Sequence, residues 1–233
     1  MQTATYQSRR SQLTTYFDET AAEAWAKLTS DAPVSGIRAT VRAGRDRMRA
    51  TILSWLPEDL SGRTLLDAGC GTGALSTEAA RRGARVTAID VAPTLVRLAE
   101  ERLPHEIGEG TIDFRVGDML DPALGTFDHV VAMDSLIHYE PADVVGALSQ
   151  LAERTRGSIV FTFAPATPML STMHAVGKLF PRSDRAPAIV PVAARRLARA
   201  IAEAPALSDW ALGRTLRVKS GFYTSEALEI VRR

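Results

Sequence analysis

Asp67-Ala68-Gly69-Cys70-Gly71-Thr72-Gly73 follows directly on the apolar run from Thr64 and stands directly before an amphipathic stretch from Ala74 to Arg82. A short apolar run, three closely spaced glycines and then helical periodicity read as a strand, a tight loop and a helix, the opening of a parallel α/β sheet. Gly69, Gly71 and Gly73 let the backbone turn sharply and approach a ligand at the carboxyl end of the first strand.

Working outward, the same alternation recurs. Strands are expected at Arg85 to Asp90, Thr111 to Val116, Phe127 to Met133 and Ser158 to Phe163, with helices from Pro93 to Leu103 and Pro141 to Glu153. Each strand is apolar along most of its length, as strands covered by helices on both faces are. Two further strands close the chain at Leu212 to Val218 and Phe222 to Ile230. Before the first strand, helices at Arg10 to Leu28 and Val34 to Ile52 form a cap, with Ile37, Val41, Met48 and Ile52 on one stripe of the second. The expected architecture is a Rossmann-like α/β domain with a seven-stranded, mostly parallel sheet. Its parts are a cap over residues 1–56, a ligand-binding core over 63–163, an insertion over 164–205 and closing strands over 206–233.

With 233 residues, 45% of them hydrophobic and 24% charged, the chain suits one globular domain. A formal net charge of +1 provides no field that would favour nucleic acid or an anionic membrane as the main partner. A single cysteine, Cys70, rules out an internal disulfide, and the N-terminus is polar with two arginines, so a cytoplasmic protein is expected. The uncharged run from Gly157 to Gly177 contains Pro165, Pro168 and His174, which suits a strand and a docked helix better than a membrane span. Cys70 lies inside the glycine loop with no second thiol, so it reads as a packed loop residue rather than a nucleophile.

A dinucleotide site is the competing reading of the loop, but there the third glycine comes one residue later. Asp67 would repel a pyrophosphate. It suits the ammonium of an amino-acid tail, which S-adenosylmethionine presents. Asp90 ends the second strand, where an acid can take both ribose hydroxyls, with Val91 beside it. Asp118 and Met119 end the third, as an acceptor for the adenine amino group and an apolar face for the ring. Met133 ends the fourth. Three acids at successive strand ends resemble the class I S-adenosylmethionine-dependent methyltransferases over roughly Leu65 to Phe163. The resemblance implies that Asp67, Gly69, Cys70, Gly71, Gly73, Asp90, Val91, Asp118, Met119 and Met133 bind the cofactor, which leaves as S-adenosylhomocysteine.

Further blocks are more specific: Tyr16-Phe17-Asp18 with Trp25, Ala132-Met133-Asp134-Ser135-Leu136-Ile137-His138-Tyr139, Gly177-Lys178-Leu179-Phe180-Pro181-Arg182-Ser183-Asp184-Arg185, and Gly221-Phe222-Tyr223. Together they resemble the magnesium-protoporphyrin IX O-methyltransferases of bacteriochlorophyll biosynthesis over essentially the whole chain. The resemblance implies esterification of one propionate of magnesium protoporphyrin IX. It also implies contact with the large porphyrin-carrying subunit of magnesium chelatase and at most peripheral membrane contact.

That substrate, a flat apolar macrocycle with two carboxylates, needs an apolar wall and a few cations. Met169, Met173 and Phe180 suit the wall, and Lys178, Arg182 and Arg185 the propionates. Arg42, one turn from Arg38 on the second cap helix, is a further carboxylate candidate. His138 follows the fourth strand, where the acceptor meets the methyl group in this fold, and is expected to orient the carboxylate or handle a residual proton. Tyr16 is its expected partner. The cap is expected to open and close around the cofactor. A propionate is already ionised near neutral pH, so the chemistry asks little of a base. No metal-ligand spacing is evident, and magnesium arrives inside the substrate. Methylation of another small acid, quinone or amine, or a scaffold that binds cofactor without turnover, are the readings this one competes with.

Overall fold

The computed structural model describes residues 2–20, 25, 27–29, 36–166 and 188–233. In chain order its main elements are α1 (Ala4–Thr15), α2 (Gly36–Trp55), β1 (Thr64–Ala68), α3 (Ala74–Arg81), β2 (Arg85–Asp90), α4 (Pro93–Glu101), β3 (Thr111–Val116), β4 (Phe127–Ala132), α5 (Pro141–Ala152), β5 (Thr155–Pro165), β6 (Pro191–Val192), α6 (Ala194–Glu203), β7 (Trp210–Ser220) and β8 (Tyr223–Arg232).

The sheet order is β3-β2-β1-β4-β5-β8-β7. The first five strands are parallel, and β8 runs antiparallel between β5 and β7. The chain winds outward from β1 to β2 and β3, then returns to β4 and β5 on the other side of β1. The order therefore reverses at β1, and the crevice for a ligand lies beyond its carboxyl end. The seven expected strands are present. An eighth, the two-residue β6 inside the expected insertion, pairs with the end of β5 and was not anticipated.

Two apolar layers hold the sheet. On one face β4 and β5 pack with α5 and α6 through Leu148, Leu151, Leu197 and Phe161, and α1 joins them through Tyr6 and Leu13. On the other face α2 and α3 pack through Met48, Ile52, Leu75 and Ala79. Met48 and Ile52 are fully buried as their stripe requires, whereas Ile37 at the head of that stripe is 56% exposed. The first turn of α2 lies outside the packed surface, so among the described residues nothing covers its apolar residue.

The first cap helix also differs from expectation. It begins six residues earlier than Arg10, where the Thr3 side chain accepts from the Tyr6 N–H as an N-cap, and it ends at Thr15 in a five-residue π-helical turn, Tyr16–Thr20. Only Tyr6 and Leu13 of this helix are buried, two apolar positions seven residues apart, which is too sparse a stripe to mark a helix in the sequence. The docked helix expected after the strand in the run from Gly157 to Gly177 lies outside the described residues. Within that run, Ser158 to Pro165 is the continuous buried part of β5, and among the described residues no helix is long and apolar enough to cross a membrane.

Candidate active site

Beyond the carboxyl ends of β1, β2 and β4 lies a cavity of about 320 Å³. Its floor is the glycine loop. Gly69 has φ of 92°, and a Cβ there would lie 2.4 Å from the Ser135 Cβ, so loop and β4 end touch in a way only glycine permits. The Gly69 and Cys70 N–H groups donate to the Ile89 carbonyl, which ties the loop to β2. Gly73 has φ of 76° and starts α3 instead of lining the cavity.

Asp67 is 2% exposed and accepts a 2.6 Å hydrogen bond from Ser76 Oγ. Burial pushes its carboxyl up to about 6; the Ser76 bond opposes the rise and the charge of Asp90 adds to it. A buried acid that lines a cavity and has no cation paired with it among the described residues is suited to an incoming one. Asp90 accepts from the Gly71 and Ala92 N–H groups, and burial raises its carboxyl as well. Both acids line the cavity with Val91, Met119 and Met133. Cations, hydroxyls and an apolar ring can therefore be met in sequence along one wall, which fits the amino-acid tail, ribose and adenine of S-adenosylmethionine. The Cys70 thiol is buried and its pKa is raised well above the ordinary value by that burial, the opposite of an activated nucleophile.

Asp118 departs from its expected place. Its carboxylate faces the N-terminal segment and accepts from Gln2 Nε2 at 2.8 Å, Tyr6 Oη at 2.9 Å and Arg10 Nη1 at 2.5 Å, besides the Leu120 N–H. Only its neighbours Gly117 and Met119 line the cavity. Asp118 thus anchors α1 beside the cofactor wall, and Tyr6 stacks on Tyr139 with ring centroids 4.8 Å apart. Nothing local announces these partners, which lie more than a hundred residues away. Asp118→Ala is expected to lower stability by about 2 kcal/mol, the usual scale for bonds to a charged group, and to hasten protease cleavage within residues 2–20. An unchanged denaturant midpoint and cleavage rate would show that the anchor is idle.

The rest of the lining comes from the turn after β4 and from the helices before β1. His138 is 8% exposed in a 3₁₀ turn, Leu136–His138, lines the cavity, and meets the edge of Phe17 at 6.1 Å between centroids. Phe17 and Trp25 also line it, whereas Tyr16 is half-buried, packs edge-on against Phe17 and stands off the lining. Arg42 lines the cavity, but its Nε and Nη2 donate to the Leu28 and Lys27 carbonyls, so it ties α2 to the end of the first cap segment. Met169, Met173, Lys178, Phe180, Arg182 and Arg185 lie outside the described residues. Arg45 and Arg49 line the cavity too and were not singled out in the sequence, and so does Asp134, which was quoted within the block from Ala132 to Tyr139 but given no role. The available signal was the arginine stripe at positions 38, 42, 45 and 49 on one face of α2.

Residues 132–232 match the family model for the magnesium-protoporphyrin IX methyltransferase C-terminus, and residues 65–157 match a general methyltransferase domain. A magnesium-protoporphyrin O-methyltransferase of Rhodobacter capsulatus is 50% identical over 96% of this chain and 97% of its own length. The chloroplastic magnesium protoporphyrin IX methyltransferase of Arabidopsis thaliana is 30% identical over 93% of this chain and 69% of its own. The crystal structure of magnesium protoporphyrin IX methyltransferase from Synechocystis PCC 6803 with bound SAH superposes with a TM-score of 0.84 at 26% identity, covering 97% of this chain and 100% of that one. With the acid-led loop, the reversal of strand order at β1 and the cavity above it, these likenesses establish that the chain belongs to the magnesium-protoporphyrin O-methyltransferase family of class I S-adenosylmethionine-dependent methyltransferases.

Proposed function

We propose that the chain transfers a methyl group from S-adenosylmethionine to one propionate of magnesium protoporphyrin IX, giving the monomethyl ester in (bacterio)chlorophyll biosynthesis. The observation that carries the choice of acceptor is that kinship to the porphyrin enzymes extends beyond the cofactor half. Residues 132–232, from the end of β4 onward, match the porphyrin family's model, whereas the general methyltransferase match stops at residue 157. Turnover with magnesium protoporphyrin IX should exceed that with small acids, quinols or amines by two orders of magnitude or more, and equal rates would favour a different acceptor.

The cofactor supplies an electrophilic methyl on a sulfonium. Asp67 holds the ammonium of its amino-acid tail, Asp90 the ribose hydroxyls, and Val91, Met119 and Met133 the apolar surfaces, with Gly69, Cys70 and Gly71 as the floor. Asp118 acts one step removed, by fixing α1. A propionate needs no proton removed, so the acceptor side works by alignment. His138, beside the end of β4, aims the carboxylate, and the cap over residues 1–56 excludes water. The insertion, 164–205, supplies the porphyrin wall through Met169, Met173 and Phe180 and the propionate cations through Lys178, Arg182 and Arg185. Those assignments rest on sequence.

Tyr16, which packs on Phe17 just off the lining, supplies a second positioning group, its hydroxyl, as the cap closes from the π-helical turn. Tyr16→Phe is expected to lower kcat about tenfold, the scale of one aligned hydrogen bond, and to leave S-adenosylhomocysteine affinity alone. Full turnover in that variant would reduce Tyr16 to a packing aromatic. The porphyrin-carrying subunit of magnesium chelatase is the proposed supplier of this poorly soluble substrate. Its addition should raise the rate at limiting porphyrin. A peripheral membrane contact would serve the same supply.

A further inference from the structure

Asp134 closes the turn after β4 in a left-handed conformation, φ 55°, the one non-glycine residue with positive φ among the described residues. Such backbone persists where surrounding contacts over-determine it. Here they do. The hydroxyls of Tyr223, Ser225 and Thr162 lie 3.1 to 3.2 Å from Asp134 Oδ1, and the Asp134 N–H donates to Thr162 Oγ1 at 2.7 Å. Oδ2 accepts from Arg45 Nη1 at 2.6 Å. Beneath this network Gly44 leaves room for the Tyr223 ring, since a Cβ there would come within 2.4 Å of its Cδ1.

The network fixes one guanidinium. Arg45 is held at one nitrogen by Asp134 and on its face by the Trp25 ring, 4.8 Å from centroid to Cζ, and its side chain is 20% exposed at the cavity wall. Trp25 in turn lies over the glycine loop, its Nε1 3.7 Å from where a Gly71 Cβ would stand. Arg45 therefore sits between the loop and the end of β4. Its remaining N–H groups meet no acceptor among the described residues. The neighbouring cations are committed elsewhere, Arg42 to the Leu28 and Lys27 carbonyls and Arg49 to Asp46 on its own helix.

An arginine clamped at edge and face inside a cavity, with most of its fork open, is preorganised for a planar anion. Asp134 is saturated by its other partners, so it orients Arg45 without swinging away. We propose that Arg45, positioned by Asp134 and Trp25, is the carboxylate receptor of this cavity. Two carboxylates are available in the proposed reaction, on which this inference rests: the amino-acid end of the cofactor and the propionate of the acceptor.

Paired titrations of the full chain distinguish them. S-Adenosylhomocysteine is compared with methylthioadenosine, which lacks the amino-acid carboxylate, and magnesium protoporphyrin IX with its dimethyl ester, which lacks free propionates. In Arg45→Met one of the two affinity ratios should collapse about tenfold or more relative to the wild type, as expected for loss of a charge-assisted fork, and the ratio that collapses names the carboxylate. Arg45→Lys keeps the charge without the fork and should lose at least about threefold in the same ratio. It also serves if the Met variant does not fold. Because each ratio is taken within one variant, a general loss of stability cancels. Both ratios within threefold of the wild type in Arg45→Met, or within twofold in Arg45→Lys if only that variant folds, would overturn the proposal. Absence of porphyrin methylation by the wild type would instead overturn the choice of acceptor, leaving the cofactor arm to decide on Arg45.

Discussion

Asp67→Asn is expected to raise the Kd for S-adenosylhomocysteine about ten- to a hundredfold. The asparagine keeps shape and volume but gives up a charge-assisted bond to the ligand ammonium, worth about 1.5 to 3 kcal/mol. The sign of the effect on the unliganded protein is different. Burial holds the Asp67 carboxyl at about 6, above its ordinary 3.8. Between those values the folded state keeps a proton that the unfolded state has released, so the unliganded protein loses stability as pH rises through that window. Asp67→Asn should remove this loss and leave Tm at neutral pH unchanged or higher. Ligand binding runs the other way, because the ammonium needs the anion. Wild-type affinity should fall about tenfold from pH 7 to pH 5, following the carboxyl as it protonates, and the variant should show no such slope. Weakened binding with a lowered Tm would mean that Asp67 is a packing residue.

His138→Ala is expected to lower kcat about a hundredfold, the loss associated with misplacing a reactant by about an ångström, while S-adenosylhomocysteine affinity stays within about threefold. The reason lies in where His138 sits. It is buried in the turn after β4 against the edge of Phe17 and lines the cavity, where the proposed function gives it the acceptor. If it aligns a carboxylate that is already ionised, the residual rate of the variant should show the same pH dependence as the wild type between about pH 6 and 8. A steep new pH dependence would assign His138 proton transfer instead. Loss of cofactor binding in proportion to kcat would assign it to the fold.

The parts of this site legible in the sequence are those whose cause is local. β2 begins and ends where its apolar run does, and Asp67 and Asp90 fall at or beside strand ends because the runs stop there. β3 has its expected bounds, but it alternates polar and apolar residues at the edge of the sheet and buries none of them, unlike the strand apolar along most of its length that was expected. What escaped depends on contacts far along the chain. Asp118 was expected to read adenine, but Gln2, Tyr6 and Arg10 reach it across more than a hundred residues. Arg42 and Arg45 are nearly equivalent on a helical wheel, and only the rotation of α2 against the cavity sends one to backbone carbonyls and the other to Asp134. β6, two residues long, exists only as a partner for β5 and carries no periodicity of its own. Helices before the first strand were expected and are present, but the first was set too late because its N-cap and two buried residues form too sparse a pattern.

The most direct test follows a labelled methyl group. Purified protein is incubated with magnesium protoporphyrin IX and S-adenosylmethionine carrying an isotopic label on its methyl, and the porphyrin is recovered. The expected product carries one labelled methyl as an ester of a single propionate, released again by mild alkali. Unlabelled porphyrin, or label that resists alkali because it sits on carbon or nitrogen, would contradict the account.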